Sequence, residues 1–268
     1  MKKGYSSNFI IGLALTSIMV GLIVIGFIWT PYDPDAMQAD LMLSAPDSRH
    51  LFGTDQFGRD VFSRVLRGAS STFIAAIGAI FIGGTIGGIL GGITGYFGGW
   101  LDEILMRVND ALATFPSILI ALVIISVLGS GTMQIVLALG IAFIPSYARM
   151  VRGEFLRIRQ LDYITSAKLI KVKPFRIIFS HIMPNIMPVL MSSLAIGFNN
   201  AVLAEAGLSY LGIGVQPPNP SLGRMISEGQ TYLASGPWYV IFPGLFLVLL
   251  ILGVSMLGEG ILERSDRV

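Results

Sequence analysis

Ser71-Thr-Phe-Ile-Ala-Ala-Ile-Gly-Ala-Ile-Phe-Ile-Gly-Gly-Thr-Ile-Gly-Gly-Ile-Leu-Gly-Gly-Ile-Thr-Gly95 runs from end to end without a charged side chain. A hydrocarbon core about 30 Å thick needs about 20 apolar residues per helical crossing, so this stretch reads as a membrane span. Gly83, Gly87, Gly91 and Gly95 recur four residues apart, with Gly84, Gly88 and Gly92 beside them. On a helix that spacing makes one smooth ridge. Lipid gives helices no hydrophobic reason to associate, so close backbone approach over small residues packs them. Gly83, Gly87, Gly91 and Gly95 are therefore the candidate helix-packing residues, against another span of the chain or against a partner subunit.

The rest of the chain repeats the signal. Its 268 residues are 53% hydrophobic and 13% charged, with a mean hydropathy of +0.75, against about 25% charged residues in a soluble domain. Apolar runs near 8–29, 111–130, 132–148, 186–212 and 237–258 join 71–98 to predict six transmembrane helices in an all-α membrane protein. Lys2 and Lys3 precede the first run as they would in a signal peptide. That run, however, reaches Trp29-Thr-Pro31 with no small-residue cleavage site, which predicts a retained anchor. Six crossings put both termini on one side. Placing that side in the cytoplasm puts Lys2, Lys3, Arg107, the basic run Arg149–Arg176, Arg264 and Arg267 inside, against Arg49, Arg59, Arg64, Arg67 and Arg224 outside. A net charge of +2 gives no reason to expect nucleic acid.

Three polar segments punctuate the spans. Residues 30–70 form an outer loop rich in aspartate, in which Val61, Phe62, Val65 and Leu66 predict a short amphipathic helix, Arg59–Arg67, on the outer surface. Residues 149–185 form the one sizeable inner loop. A mostly helical apolar stripe through Met150, Val151, Phe155, Leu156, Ile158, Leu161 and Ile164, a turn at Lys171-Val-Lys-Pro174 and proline at a helix start predict a helix-turn-helix. Residues 213–237 form a proline-rich outer loop with an amphipathic piece at Met225–Tyr232. Pro116, Pro145 and Pro243 interrupt spans, where freed carbonyls need other partners.

Catalytic signatures are missing from the sequence. It contains no phosphate-binding G-x-x-x-x-G-K-[ST] loop, no H-E-x-x-H, no G-x-S-x-G and no cysteine. His50 and His181 fall in loops on opposite faces, so no metal site is expected from them. The twelve methionines are read as apolar gap-fillers. Glu205 is the one carboxylate well inside an apolar run, and Asn199 and Asn200 are its polar neighbours. These three are the translocation-path candidates, with bonding between helices as the competing reading. An ion-coupled secondary transporter would need several buried ionisable groups, and a membrane-bound enzyme would need a catalytic cluster; the sequence offers neither.

Blocks spread along the chain resemble the permeases of dipeptide, oligopeptide and nickel ABC importers. They are His50-Leu-Phe-Gly-Thr-Asp-Gln-Phe-Gly-Arg-Asp-Val-Phe-Ser-Arg64, Gly95-Tyr-Phe-Gly-Gly-Trp-Leu-Asp102, Phe115-Pro-Ser117, Tyr147-Ala-Arg-Met-Val-Arg-Gly153, Glu205 through Pro218, Phe242-Pro-Gly244 and Leu257-Gly-Glu-Gly260. The resemblance implies a type I ABC importer permease fold, in which 1–70 is an anchor span with its outer loop and 71–268 is a five-span core. It implies a bacterial inner-membrane location, a second homologous permease, two ATPase subunits holding the ATP and magnesium, and an extracytoplasmic binding protein. No cofactor is implied on this chain, and the implied cargo is a peptide, nickel or a nickel chelate. Within 149–185 it implies the ATPase-coupling EAA motif, carried by Asp162, Tyr163, Thr165, Ser166, Ala167, Lys171 and Pro184. The motif's acidic residue is missing, and Lys171 stands where the family has a turn glycine, so the loop is expected to turn differently or to accept strain.

Overall fold

The computed structural model describes residues 7–266; Lys2, Lys3 and Arg267 lie outside them. Five helices are long and apolar enough to cross a bilayer. They are α1 (Ser7–Ile28), α2 (Val61–Phe97), α5 (Thr132–Arg159), the continuous stretch Pro174–Tyr210 and α10 (Trp238–Asp266). The sixth crossing, expected as one run at 111–130, is broken. Helices α3 (Gly99–Ala113) and α4 (Ser117–Leu128) meet at 86°. Pro116 stands at the corner: it has no N–H to continue α3, its ring fixes φ at −54°, and its extended ψ of 131° redirects the chain before α4 begins.

Helix α2 begins ten residues before the expected span. The stretch Arg59–Arg67, expected to be a separate surface helix, supplies instead the first turns of α2. Asp60 caps that start by accepting the Ser63 amide at 2.7 Å. The apolar face formed by Val61, Val65, Leu66 and Ala69 is fully covered by protein, and Ser70 donates a hydrogen bond to the Ile23 carbonyl of α1 at 3.0 Å. The division at residue 70 consequently falls inside a helix. Anchor helix α1 is no loose appendage either, since a methyl at Gly12 would come within 2.5 Å of the Leu257 amide in α10.

The glycine ridge of α2 lies on α5. A methyl at Gly87 would sit 2.7 Å from the Ile144 carbonyl, and one at Gly95 would sit 2.6 Å from the Phe155 Cβ. Gly83 meets Gly140 and Phe143, and Gly91 meets Ala148 and Arg152. These backbones approach closely because nothing stands between them.

Helix α5 does not stop at the expected loop boundary of 149 but continues to Arg159. A short helix, α6 (Asp162–Leu169), follows. Pro174 then opens α7 (Pro174–Ile177), which passes through a π-helical turn (Ile178–Ile182) into α8 (Met183–Tyr210) without leaving the helical path. The expected helix-turn-helix is thus one short helix inserted between two long ones. The widened turn directly precedes Pro184, whose missing N–H would otherwise interrupt the ladder. On the opposite end of the molecule, α9 (Leu222–Gly229) starts at the Ser221 cap.

Candidate coupling loop, path cavity and outer network

Helix α6 is held by a single buried side chain, Ile164, which enters a cluster with Val151, Phe155, Ile158, Ile177, Ile182 and Ile186. Asp162, Tyr163, Thr165 and Ser166 remain exposed, and Ala167 packs at the rim of the cluster. Asn185 donates to the Tyr163 hydroxyl at 3.3 Å and to the His181 carbonyl at 2.5 Å, so α6 is fastened to the first turn of α8. Pro184 is exposed beside that fastening.

Lys171 turns as a glycine would. Its φ is +55°, and its N–H reaches the Lys168 carbonyl at 3.0 Å while the Val172 N–H reaches the Ala167 carbonyl at 3.0 Å. This pair of bonds is the Schellman closure of α6. The alternative expected for a lysine, a different turn, does not occur: the residue accepts the left-handed conformation at a cost of about 1–2 kcal/mol. Around this corner Leu169, Ile170 and Phe175 are more than 70% exposed. Sequence reading missed this apolar tip, whose one signal was an apolar pair next to the turn.

Helix α3 grips the end of α5 that leads into α6. Arg152 donates to Asp102 twice, at 2.6 and 2.7 Å. Asn109 donates to the Pro145 carbonyl at 3.2 Å, and Arg149 donates to Asp110 at 2.8 Å. The hydrogen bonds from Arg152 hold the Asp102 carboxyl below the usual carboxylate range, outweighing a small opposing effect of burial. The basic run of the sequence is thus partly neutralised by α3.

A cavity of about 570 Å³ opens between α4, α5 and α8. Its polar lining comes from Ser117, Ser146, Tyr147, Ser193 and Asn200. Tyr147 is 5% exposed, and its hydroxyl has no hydrogen-bond partner among the described residues. That hydroxyl rests against Gly197, where any side chain would collide with it. Of the path candidates, Asn200 lines the cavity, whereas Asn199 and Glu205 do not. The Asn199 side-chain oxygen is buried without a partner. Glu205 is fully buried and accepts from Thr72 of α2 and Ser209 of α8, each at 2.6 Å.

At the opposite end, residues 50–64 fold into a buried polar network. Asp60 accepts from His50 at 2.9 Å and from the Ser63 hydroxyl at 2.7 Å. Asp55 accepts from the Arg59 side chain at 2.6 Å, with Arg64 beside it at 3.6 Å. The network reaches α9 and α10. Glu228 accepts from Arg224 at 2.7 Å and from the Tyr239 hydroxyl at 2.8 Å, while Trp238 donates to the Thr54 carbonyl at 3.0 Å. Burial raises the affinity of Glu228 for a proton, but these donors outweigh it and leave the carboxyl below its ordinary value. Phe52 stacks on Phe242 with ring centres 3.9 Å apart. No group of three or more histidines and carboxylates placed to hold a metal ion occurs among the described residues.

Comparison with known proteins follows the same lines. Residues 83–267 match the family described as binding-protein-dependent transport system inner membrane component. The dipeptide transport system permease protein DppC of Alkalihalophilus pseudofirmus is 37% identical over 84% of this chain and 74% of its own length. The glutathione transport system permease protein GsiD of Escherichia coli is 38% identical over 94% of this chain and 84% of its own. Inward-facing structures of the MetNI methionine ABC transporter superpose with TM-scores of 0.58 and 0.57 at 18% and 19% identity. The first covers 75% of this chain and 94% of the transporter chain, and the second 76% and 95%. The fold is that of a type I importer permease, and the chain is a permease subunit of a binding-protein-dependent transport system. Its five membrane-length apolar helices and its extended identity to named permeases agree: the chain belongs to the family of binding-protein-dependent transport system inner membrane components.

Proposed function

We propose that this chain pairs with a second, homologous permease to enclose a peptide path in the bacterial inner membrane, driven by two ATPase subunits and supplied by an extracytoplasmic binding protein. The observation that carries the peptide reading is identity of 37–38%, over most of the chain, to permeases named for dipeptide and glutathione transport. In this reading the termini and the basic end are cytoplasmic, supported by the gathering of Arg149–Arg176 there. Magnesium and ATP belong to the ATPases. The core beginning near residue 71 carries the machinery, supported by a family match that starts at 83, while 1–70 supplies the anchor and the outer loop.

Coupling is assigned to Asp162, Tyr163, Thr165, Ser166, Ala167, Lys171 and Pro184. The apolar tip Leu169, Ile170 and Phe175 supports docking into a groove on an ATPase. ATP-driven closure of the two ATPases pulls α6 and, through Ile164 and Asn185, the adjoining ends of α5 and α8, which form two walls of the cavity. Asn200 is the path candidate best supported by position. Asn199 and Glu205 are assigned to the packing behind it.

The test is uptake of labelled dipeptide, glutathione and nickel in cells with and without this gene, under ATP depletion and under gradient collapse. Gene-dependent, ATP-dependent peptide uptake is expected. Gene-dependent nickel uptake alone would reverse the cargo, and uptake that survives ATP depletion would remove the ATPase coupling.

A further inference from the structure

The lining of the path cavity has a chemical character that the proposed function does not use. Its polar groups are the hydroxyls of Ser117, Ser146, Tyr147 and Ser193 and the amide of Asn200, and no Asp, Glu, Lys, Arg or His lines it. Charged groups are not scarce nearby: on α5, Arg149 directly precedes the lining residue Met150 and Arg152 follows it by two, yet both are turned to carboxylates of α3. Ser146 and Asn200 are exposed to the cavity, whereas the Tyr147 hydroxyl is closed off against Gly197.

Resting on the peptide reading, we propose that this wall passes its cargo by hydrogen bonding to the peptide group and is blind to side-chain charge, with Asn200 and the Ser146 hydroxyl as the contacting groups. An amide offers both a donor and an acceptor, and a hydroxyl does the same, so each matches the N–H and C=O that every peptide shares. A fixed charge would instead favour cargo of one sign and hold it, since a unit charge pair at contact distance changes binding by about tenfold or more even near water.

The experiment uses the complete transporter in cells or proteoliposomes, with Ala-Ala, Ala-Lys and Ala-Glu at concentrations that saturate the binding protein. Each variant is compared with wild type for the same peptide, so that the binding protein's preference cancels. The wild-type chain is expected to carry all three at similar maximal rates. Asn200→Asp is expected to slow Ala-Glu about tenfold relative to Ala-Lys, and Asn200→Ser to leave that ratio unchanged. Ser146→Asp, at an exposed cavity position on α5, repeats the test should Asn200→Asp fail to reach the membrane. Ser146→Ala separates contact from mere exposure: cargo contact predicts slower transport of all three peptides, and unchanged transport of all three counts against contact at this hydroxyl. An unchanged charge ratio in an aspartate variant that is present in the membrane overturns the inference. Absence of any peptide uptake by wild type overturns the peptide reading itself, and that outcome is scored before any variant is compared.

Discussion

Arg152 of α5 and Asp102 of α3 face each other guanidinium to carboxylate, with two parallel hydrogen bonds of 2.6 and 2.7 Å between them. The pair closes the corner where α3 leaves the glycine-rich helix and where α5 runs on toward α6. Asn109 and Arg149 add two further bonds between the same helices, so α3 and this end of α5 move as one piece. A planar fork on a carboxylate resists rotation in a way that a lysine does not. Arg152→Lys and Asp102→Asn are expected to cost about 1 kcal/mol of stability each. They are also expected to raise the ATP consumed per peptide transported, and the exchange Asp102→Arg with Arg152→Asp is expected to recover part of the loss. Coupling ratios equal to wild type in both single variants would refute the strut.

Lys171 supplies a stability test of opposite sign. Its φ of +55° is one that glycine adopts without penalty. Lys171→Gly is expected to stabilise the loop by about 1 kcal/mol, and Lys171→Val to destabilise it by more. Amide hydrogen exchange across residues 162–172 reads both effects. Slower exchange in the glycine variant is expected.

Helix α2 carries two glycine rows with different surroundings. At Gly91 a side chain would strike the Ala148 carbonyl, whereas at Gly88 nothing lies within 4 Å. Gly91→Val is expected to cost about 3 kcal/mol or more and to reduce recovery of folded protein from the membrane, and Gly88→Ala to be nearly neutral. Equal recovery of the two variants in gel filtration would contradict the packing of α2 on α5.

Glu228 makes the outer network sensitive to acid. A carboxyl whose folded value is depressed stabilises the protein above its ordinary range, near 4.3, and loses that contribution as pH falls through the depressed value. Melting temperature is expected to fall as pH drops below the ordinary carboxylate range toward the depressed value of Glu228, and to fall less in Glu228→Gln, which has no such proton to gain. A variant as acid-sensitive as wild type would show that the network draws nothing from this charge.

Glu205 accepts hydrogen bonds from two buried hydroxyls and lies away from the cavity lining. Glu205→Gln keeps one oxygen as an acceptor and is expected to be mild. Glu205→Leu removes the acceptor of both hydroxyls, leaving Ser209 only its bond from the Val215 N–H, and is expected to cost about 2–4 kcal/mol. Neither is expected to alter the concentration of peptide giving half-maximal uptake. A shift in that concentration would return Glu205 to the path.

The crossings were legible because each depends on local composition alone, as did the face presented by Gly83, Gly87, Gly91 and Gly95. What lay beyond the sequence depended on partners far along the chain. Asp55, Asp60, Arg59 and Arg64 read as loop polarity, and only folding brings them together with Glu228 and covers Val61, Val65 and Leu66. Pro116 announced an interruption but not an 86° corner. Lys171 argued locally for another turn, and the burial of Ile164 together with the closing bonds of α6 overrode it. Tyr147 gave no signal at all, because a tyrosine in an apolar run looks like core until its hydroxyl is found without a partner.

Helix α4 has 12 residues, which at 1.5 Å per residue is about 18 Å, while the hydrocarbon it stands in is about 30 Å deep. Leu119, Val123 and Val127 on its surface are exposed, so a bilayer on this face would meet an apolar wall little more than half its own thickness before the chain turns away at Pro116. Acyl chains against that wall must shorten, splay or give way to another polypeptide, each at a fraction of a kcal/mol per Å. Bilayer thickness is thus expected to act on α4 more than on the five membrane-length helices, and α4 is the helix that carries Ser117 into the cavity.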